Sequence, residues 1–283
     1  MSDAPSPQAF FKGPELRSRP KTLTVLVPVF NEQPTIKEIL SRVAGAQTSG
    51  LERDIVVVDD ASKDGTVLEI EKFQKDHPEI KLTLVKHAVN QGKGSAVRTA
   101  LGAATGDVVL IQDGDLEYDP KDYPTLLEPL CDGRADAVFG SRFLGGPHRV
   151  LYFWHSVGNQ MLTTLSNMVT DLNLTDMETC YKVFRREVLE QIDLQENRFG
   201  IEPEITAKVA GLGVRVYEVP ISYHGRTYAE GKKIGLKDAF RAAYCILRYG
   251  IPARMGGANH DPSMRPGAKP QAPKARASAA TDN

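Results

Sequence analysis

Five short apolar runs frame this chain: Leu23 to Phe30, Ile55 to Val58, Leu82 to Val85, Val108 to Ile111 and Ala137 to Phe139. They are rich in valine and do not alternate with polar residues, the pattern of strands buried on both faces of a mostly parallel sheet. Between them lie stretches with helical spacing, Thr35 to Ala46, Thr66 to Asp76 and Ser95 to Ala104, the first preceded by a Pro34 suited to helix entry. Strands alternating with helices read as βαβ units, so the expected fold is α/β, a mostly parallel central sheet flanked by helices.

In sheets of this kind, ligands bind outside the carboxyl ends of the strands. The five runs end in PVFNEQP, DDASKDGT, HAVNQGKG, QDGDLEYD and GSRFLGG, so every polar cluster falls at a strand's carboxyl end. Scattered surface charge would not collect there.

With 283 residues, 41% of them hydrophobic and 25% charged, the chain can bury one large domain. That domain is expected over residues 21–250, with a donor half at about 21–145 and an acceptor half at about 146–250. Residues 1–20 lack the charged and apolar regions of a secretory signal and read as a disordered segment; 251–283 read as a disordered Pro/Ala-rich tail. A net charge of -1 gives no global field toward nucleic acid. Cys131, Cys180 and Cys245 have no CxxC spacing and leave one over, which points to a reducing compartment and core or near-site thiols. No stretch reaches the roughly 18 apolar residues of a membrane span, so membrane contact is expected to be peripheral.

Asp113 and Asp115 follow the fourth run, separated by Gly114. If the strand continues, residues two apart share a face and both carboxylates reach one cation, of the kind that oxygen ligands hold as Mg²⁺ or Mn²⁺. A solvated acidic turn is the plainer reading of DGD taken alone. In PVFNE, Phe30 offers a ring to a base, and Asn31 and Glu32 offer hydrogen bonds; a rigid helix entry capped by Asn31 fits equally. Asp60 ends the second run where a carboxylate can accept from a ribose, while Asp64 and Gly65 read as turn and cap residues. In NQGKG the glycines permit close backbone approach and Lys93 brings charge near a phosphate, although the spacing is not that of a Walker loop. Arg142 can clamp a phosphate or carboxylate bidentately, or form an edge salt bridge. The loop HGRTYAEGKK gathers His224, Arg226, Lys232 and Lys233, either to close over an anion or as a solvated basic loop. Carboxylates with cations around a diphosphate suit stabilisation of a departing nucleoside diphosphate. A receiver-like phosphorylation pocket is the rival reading, and it leaves DGD unexplained.

The ordered series VPVFNE, VVDDASKDGT, NQGKG, DGDLEYDP, GSRF and R-x5-K, spanning roughly Lys21 to Tyr249, resembles the family 2 glycosyltransferases with a GT-A fold. Within them it resembles the polyprenol-phosphate sugar synthases. The resemblance implies a nucleotide sugar donor, GDP-mannose or UDP-glucose, and a polyprenyl phosphate acceptor at the cytoplasmic face of a membrane. It implies that Pro28, Phe30, Glu32, Val58 and Asp60 hold the nucleoside, and that Asp113 and Asp115, with Gly114 beside them, hold metal and diphosphate. Lys93 joins this donor set, while Arg142, Arg226 and Lys232 would grip phosphates. The chain departs from the pattern at Glu117, where a neutral residue is frequent, at Glu178 and Lys182 in DMETCYK, and in lacking the membrane helices of many relatives. The implied reaction is an inverting displacement to which Asp115 contributes. An anionic lipid phosphate needs no general base; a saccharide hydroxyl does, and Asp176 or Glu178 would supply it. Tyr152, Phe153 and Trp154, with an amphipathic last helix, would then rest on headgroups or pack in the core. A catalytically silent binding partner is the reading from another class, opposed by the intact carboxylate pair.

Overall fold

The computed structural model describes residues 17–145, 148–150, 152–226 and 236–254. Each expected apolar run forms a strand: β1 (Thr22–Val29), β2 (Glu52–Asp59), β3 (Leu82–Lys86), β4 (Val108–Ile111) and β5 (Ala137–Ser141). β1, β4 and β5 are buried almost throughout, as continuous apolar runs require. The intervening helices are α1 (Ile36–Gly45), α2 (Thr66–Asp76) and α3 (Lys93–Ala103), followed by a single 3-10 turn and α4 (Tyr123–Cys131) between β4 and β5.

Farther on come α5 (Phe153–Thr170), β6 (Lys182–Arg185), α6 (Arg186–Leu189), α7 (Ile201–Leu212), β7 (Val216–Pro220) and α8 (Leu236–Arg254). The seven strands lie in the order β3-β2-β1-β4-β6-β5-β7. All neighbours run parallel except β6, which is antiparallel to both β4 and β5. Two elements had no clear sequence signal. β6 is only KVFR, and α4 contains Pro124 and Pro129.

The chain passes from β1 outward to β2 and β3, then returns to place β4 on the other side of β1. This reversal opens a crevice at the carboxyl ends of β1 and β4, where open α/β sheets bind ligands. PVFNE leads off one strand into it, and QDGD leads off the other.

The packed chain begins before Lys21. The Arg17 guanidinium pairs with Asp136 at 3.1 Å, and the Arg17 backbone N–H donates to the Gly133 carbonyl. At the other end, α8 passes Tyr249 and runs to Arg254. The segment 1–16, the tail beyond 254, and Lys232 with Lys233 lie outside the described residues.

Candidate active site

β4 stops at Ile111, so Asp113 and Asp115 do not project from a strand face as the period-two reading required. They sit in the turn beyond it. Gly114 passes so close to β1 that a Cβ there would lie 2.6 Å from Val29 Cγ1, and its carbonyl accepts from the Thr35 hydroxyl at 3.0 Å. The turn is therefore clamped to the end of β1, and each carboxylate pairs with its own cation.

Asp113 meets Lys93, whose ammonium lies 2.8 Å from Asp113 Oδ1 and 2.9 Å from Glu202 Oε1. Burial opposes the charge on Lys93, but Asp113 and Glu202 outweigh it and hold its pKa well above the ordinary value. Asp115 meets Arg226 through Oδ2 and Nη2. Burial, with Asp113 and Glu117 alongside, pushes the Asp115 carboxyl up to about 7 against the opposing pull of Arg226.

Glu117 is the anchor of this arrangement. Its Oε1 accepts from Arg226 Nε at 2.8 Å and from the Arg226 backbone N–H at 3.1 Å; its Oε2 accepts from the Tyr223 hydroxyl at 2.9 Å. Its carbonyl takes the His224 N–H at 2.8 Å, while Asp122 takes the Ser222 N–H at 2.7 Å. The segment after β7 is thereby tied to the LEYDPKD stretch, with Arg226 held over Asp115. Glu32 stands 3.9 Å from Arg226 Nη1, which brings the PVFNE carboxylate to the same guanidinium.

Asp60 has a different place from the one its position suggested. Its carboxylate accepts from the Gln91 and Gly92 N–H groups at 2.8 and 2.7 Å and lies 2.7 Å from His87 Nδ1. With these three partners it builds the loop that starts α3 and carries Lys93. A ribose would have to compete with them. Gly92 and Gly94 permit close approach, but of protein: a Cβ at either would collide with the Asn197 or Glu196 carbonyl. The Ser95 N–H donates to the Asn197 carbonyl at 3.2 Å, so residues 196–197 cover the start of α3. Pro28 and Val58 are register partners, both buried in the sheet beneath the crevice, and Phe30 is half-buried at its edge. Asn31, at φ +54°, accepts from the Lys63 N–H at 2.8 Å and links the PVFNE and DDASKDGT loops instead of capping α1. Asp64 accepts from the Thr66 N–H at 3.0 Å, the turn role expected of it.

On the far side, Arg142 and Asp176 form a bidentate pair, Nε to Oδ2 at 2.6 Å and Nη2 to Oδ1 at 2.7 Å. The Arg142 Nη2 also donates to Asn159 at 3.1 Å, and its guanidinium lies 5.1 Å from the Tyr223 ring centre. Asp176 is wholly buried. A general-base role for it does not fit this geometry, because its oxygens are spent on Arg142. Glu178 differs. It is half-buried, its Oε1 has no hydrogen-bond partner, and burial, reinforced by Glu202, pushes its carboxyl up to about 8 against the pull of Lys182. The Lys182 ammonium donates to the Met177 and Thr179 carbonyls at 2.8 and 2.6 Å, bracing the turn that carries Glu178.

Residues 24–193 match the model of "Glycosyl transferase family 2". The chain belongs to that family. Among its relatives, it is 30% identical over 247 residues to an undecaprenyl-phosphate mannosyltransferase of Micrococcus luteus, covering 84% of this chain and 97% of that protein. It is 28% identical to a dodecaprenyl-phosphate galacturonate synthase of Rhizobium johnstonii and 29% to a dolichol-phosphate mannosyltransferase of Pyrococcus furiosus. It covers 80% of itself in both matches but spans only 65% and 64% of those two proteins. The fold resembles that of glucosyl-3-phosphoglycerate synthase from Mycobacterium tuberculosis in complex with Mn²⁺, UDP and phosphoglyceric acid, with a TM-score of 0.64 at 19% identity over 86% of this chain and 81% of that one. The sheet is thus that of a GT-A glycosyltransferase.

As a family 2 glycosyltransferase, the chain brings Glu32, Lys93, Asp113, Asp115 and Arg226 into one linked set. Arg142 with Asp176 stands across Tyr223 from it. Glu202 and Tyr223 were not legible as site residues, since nothing local marks them; Glu117 stood out as a departure from the pattern, a candidate for metal coordination or sugar choice, and the structure places it instead on Arg226 and Tyr223.

Proposed function

We propose that this enzyme transfers a hexosyl group, mannose or glucose, from a nucleotide sugar to a polyprenyl phosphate. The observation that carries the reading is the alternation of carboxylates and guanidinium in the crevice, with Arg226 bridging Asp115 and Glu117. Cations held in place by carboxylates suit a site that must receive phosphates, and several relatives are named for polyprenyl-phosphate acceptors.

In the reaction, a phosphate oxygen of the lipid attacks the anomeric carbon from the face opposite the diphosphate. The carbon–oxygen bond to the diphosphate breaks, and the configuration inverts. The attacking oxygen is already anionic, so no proton has to be removed. Phe30 and Glu32 would meet the nucleoside, above a floor set by Pro28 and Val58. Asp60 would act by shaping the loop of Lys93. Arg226 and Arg142 would hold phosphates, with Lys232 a further candidate from the sequence.

Asp113 and Asp115 offer hard oxygen donors, and a cation held there would relieve the like-charge crowding that raises the Asp115 pKa, which suits Mg²⁺ or Mn²⁺. Among the described residues no three His, Cys, Asp or Glu groups surround one point, so donor phosphates and water would complete the shell. Such an ion would offset charge on the departing diphosphate. On this reading the enzyme works at the cytoplasmic face of a membrane.

A saccharide hydroxyl acceptor is the second reading, favoured by one observation, the unpartnered Glu178 oxygen and its affinity for a proton. Mass spectrometry of lipid extracted after incubation with GDP-mannose, UDP-glucose and short-chain polyprenyl phosphate separates the two. A lipid phosphate heavier by one hexose supports the first reading. Unmodified lipid alongside a lengthened saccharide supports the second.

A further inference from the structure

The Lys93 ammonium stands between two carboxylates, and only one of them belongs to the pair that follows β4. Asp113 Oδ1 lies 2.8 Å from it and Glu202 Oε1 2.9 Å. A lysine set against Asp113 alone would cancel its charge. Shared between two carboxylates, it leaves one negative charge in excess, so Asp113 still attracts a further cation.

Glu202 is in no position to meet a substrate itself. It is 7% exposed in the first turn of α7, and the cavity beside it, lined by Lys93, Cys180, Lys182 and Glu202 among others, measures about 10 Å³. That is room for about one water molecule and for no sugar or phosphate. Lys182, the other ammonium on this cavity, is taken by the Met177 and Thr179 carbonyls. Among the described residues, Lys93 is therefore the one cation within ion-pairing distance of Glu202. Glu202 Oε2 is buried and has no hydrogen-bond partner, so this carboxylate has accepting capacity in reserve beside the ammonium it already holds.

The place of Glu202 does not depend on Lys93. Glu204, two residues on, accepts from the Gln195 and Glu196 N–H groups at 2.7 Å each and pairs with Lys208 at 2.6 Å. The segment it braces lies over the start of α3, where the Glu196 carbonyl accepts from Arg98 at 2.5 Å and the Asn197 carbonyl from the Ser95 N–H at 3.2 Å. A frame that stands without the Glu202 carboxylate thus presents it to Lys93.

We propose that Glu202 is a positioning residue for the transfer, which takes Lys93 over from Asp113 when Asp113 turns to a divalent cation. The free Oε2 replaces the contact that Lys93 gives up, so Asp113 is released without leaving an enclosed ammonium unpaired. Lys93 keeps its place at the head of α3. The inference rests on the proposed reading, in which Asp113 holds the ion.

The test is Mn²⁺ binding by the full chain, followed through the electron paramagnetic resonance signal of the free ion, with GDP or UDP present and neither sugar nor lipid. Wild type is compared with Glu202→Gln, Lys93→Met, the double variant and Glu202→Asp, and circular dichroism checks each fold. Glu202→Gln is expected to weaken Mn²⁺ binding about tenfold, because Lys93 then clings to Asp113; with Lys93→Met in place, the same change is expected to alter affinity by less than about twofold. Glu202→Asp keeps the charge but falls a methylene short of Lys93, and is expected to bind as weakly as Glu202→Gln. That comparison stands even if Lys93→Met fails to fold. Equal affinity in wild type and Glu202→Gln overturns the inference. So does a loss that persists without Lys93, or full recovery in Glu202→Asp, since either reduces Glu202 to a general charge effect. In all three cases wild type still binds Mn²⁺ and the metal-dependent reading survives; a wild type that binds none overturns both.

Discussion

The carboxylate of Glu117 holds Arg226 twice, at the backbone N–H and at Nε, and leaves Nη2 of the same guanidinium on Asp115. Charge-assisted hydrogen bonds are worth roughly 1.5–3 kcal/mol each. Glu117→Ala is therefore expected to lower kcat/KM by about 10- to 100-fold, with Glu117→Gln intermediate because its amide oxygen still accepts. Steady-state kinetics of the two variants check this.

Arg142 and Asp176 predict a stability effect. Asp176→Asn leaves the guanidinium in its enclosed place without a counter-charge, a loss of about 3–5 kcal/mol. For a domain of this size each kcal/mol moves the melting temperature by about 2–4 °C. A fall of about 10 °C is expected by calorimetry, together with weakened acceptor binding. An unchanged melting temperature would show that the pair contributes nothing to the fold.

Two glycines of α3 should respond in opposite directions. Gly94→Ala drives a methyl group into the Glu196 carbonyl, a backbone atom that cannot swing away, and is expected to cost about 1–3 kcal/mol and to displace Lys93. Gly102→Ala meets nothing within 4 Å and is expected to gain up to about 1 kcal/mol from helix propensity. Urea denaturation of both variants measures the contrast.

Glu178 gives stability a pH dependence whose sign is fixed. Its carboxyl is held at about 8 in the folded chain against an ordinary value of 4.5, so between those limits the native state keeps a proton that the unfolded state has lost. Stability from this group accordingly falls as pH rises from about 4.5 to 8. Glu178→Gln, which cannot ionise, is expected to flatten that decline. Denaturation at pH 4 and pH 9 would show the variant gaining on wild type only at the higher pH.

The sheet was legible wherever burial on both faces left a continuous apolar run, as in VVV before Asp59 or VVLI before Gln112. β6 was not, because its ends, Lys182 and Arg185, are charged and become buried only through partners supplied by the fold, the Met177 and Thr179 carbonyls for one and the Leu130 carbonyl for the other. In the site, residue type and strand-end position singled out Asp113, Asp115 and Arg226, but not how they combine. The period-two reading of DGD failed because the strand ends two residues early. The glycines of NQGKG signalled a close approach, and only the fold shows that the approaching group is the Glu196–Asn197 backbone. Pairing across more than a hundred residues, as between Glu117 and Arg226, leaves no local pattern to read.

The most direct test is nucleoside diphosphate release by the purified enzyme with GDP-mannose or UDP-glucose, with and without Mn²⁺ or Mg²⁺ and a short-chain polyprenyl phosphate, beside Asp115→Asn. Release that needs both metal and lipid phosphate, and that falls by at least about 100-fold in the variant, is the predicted result. Release indifferent to the lipid, or undiminished in Asp115→Asn, would contradict it.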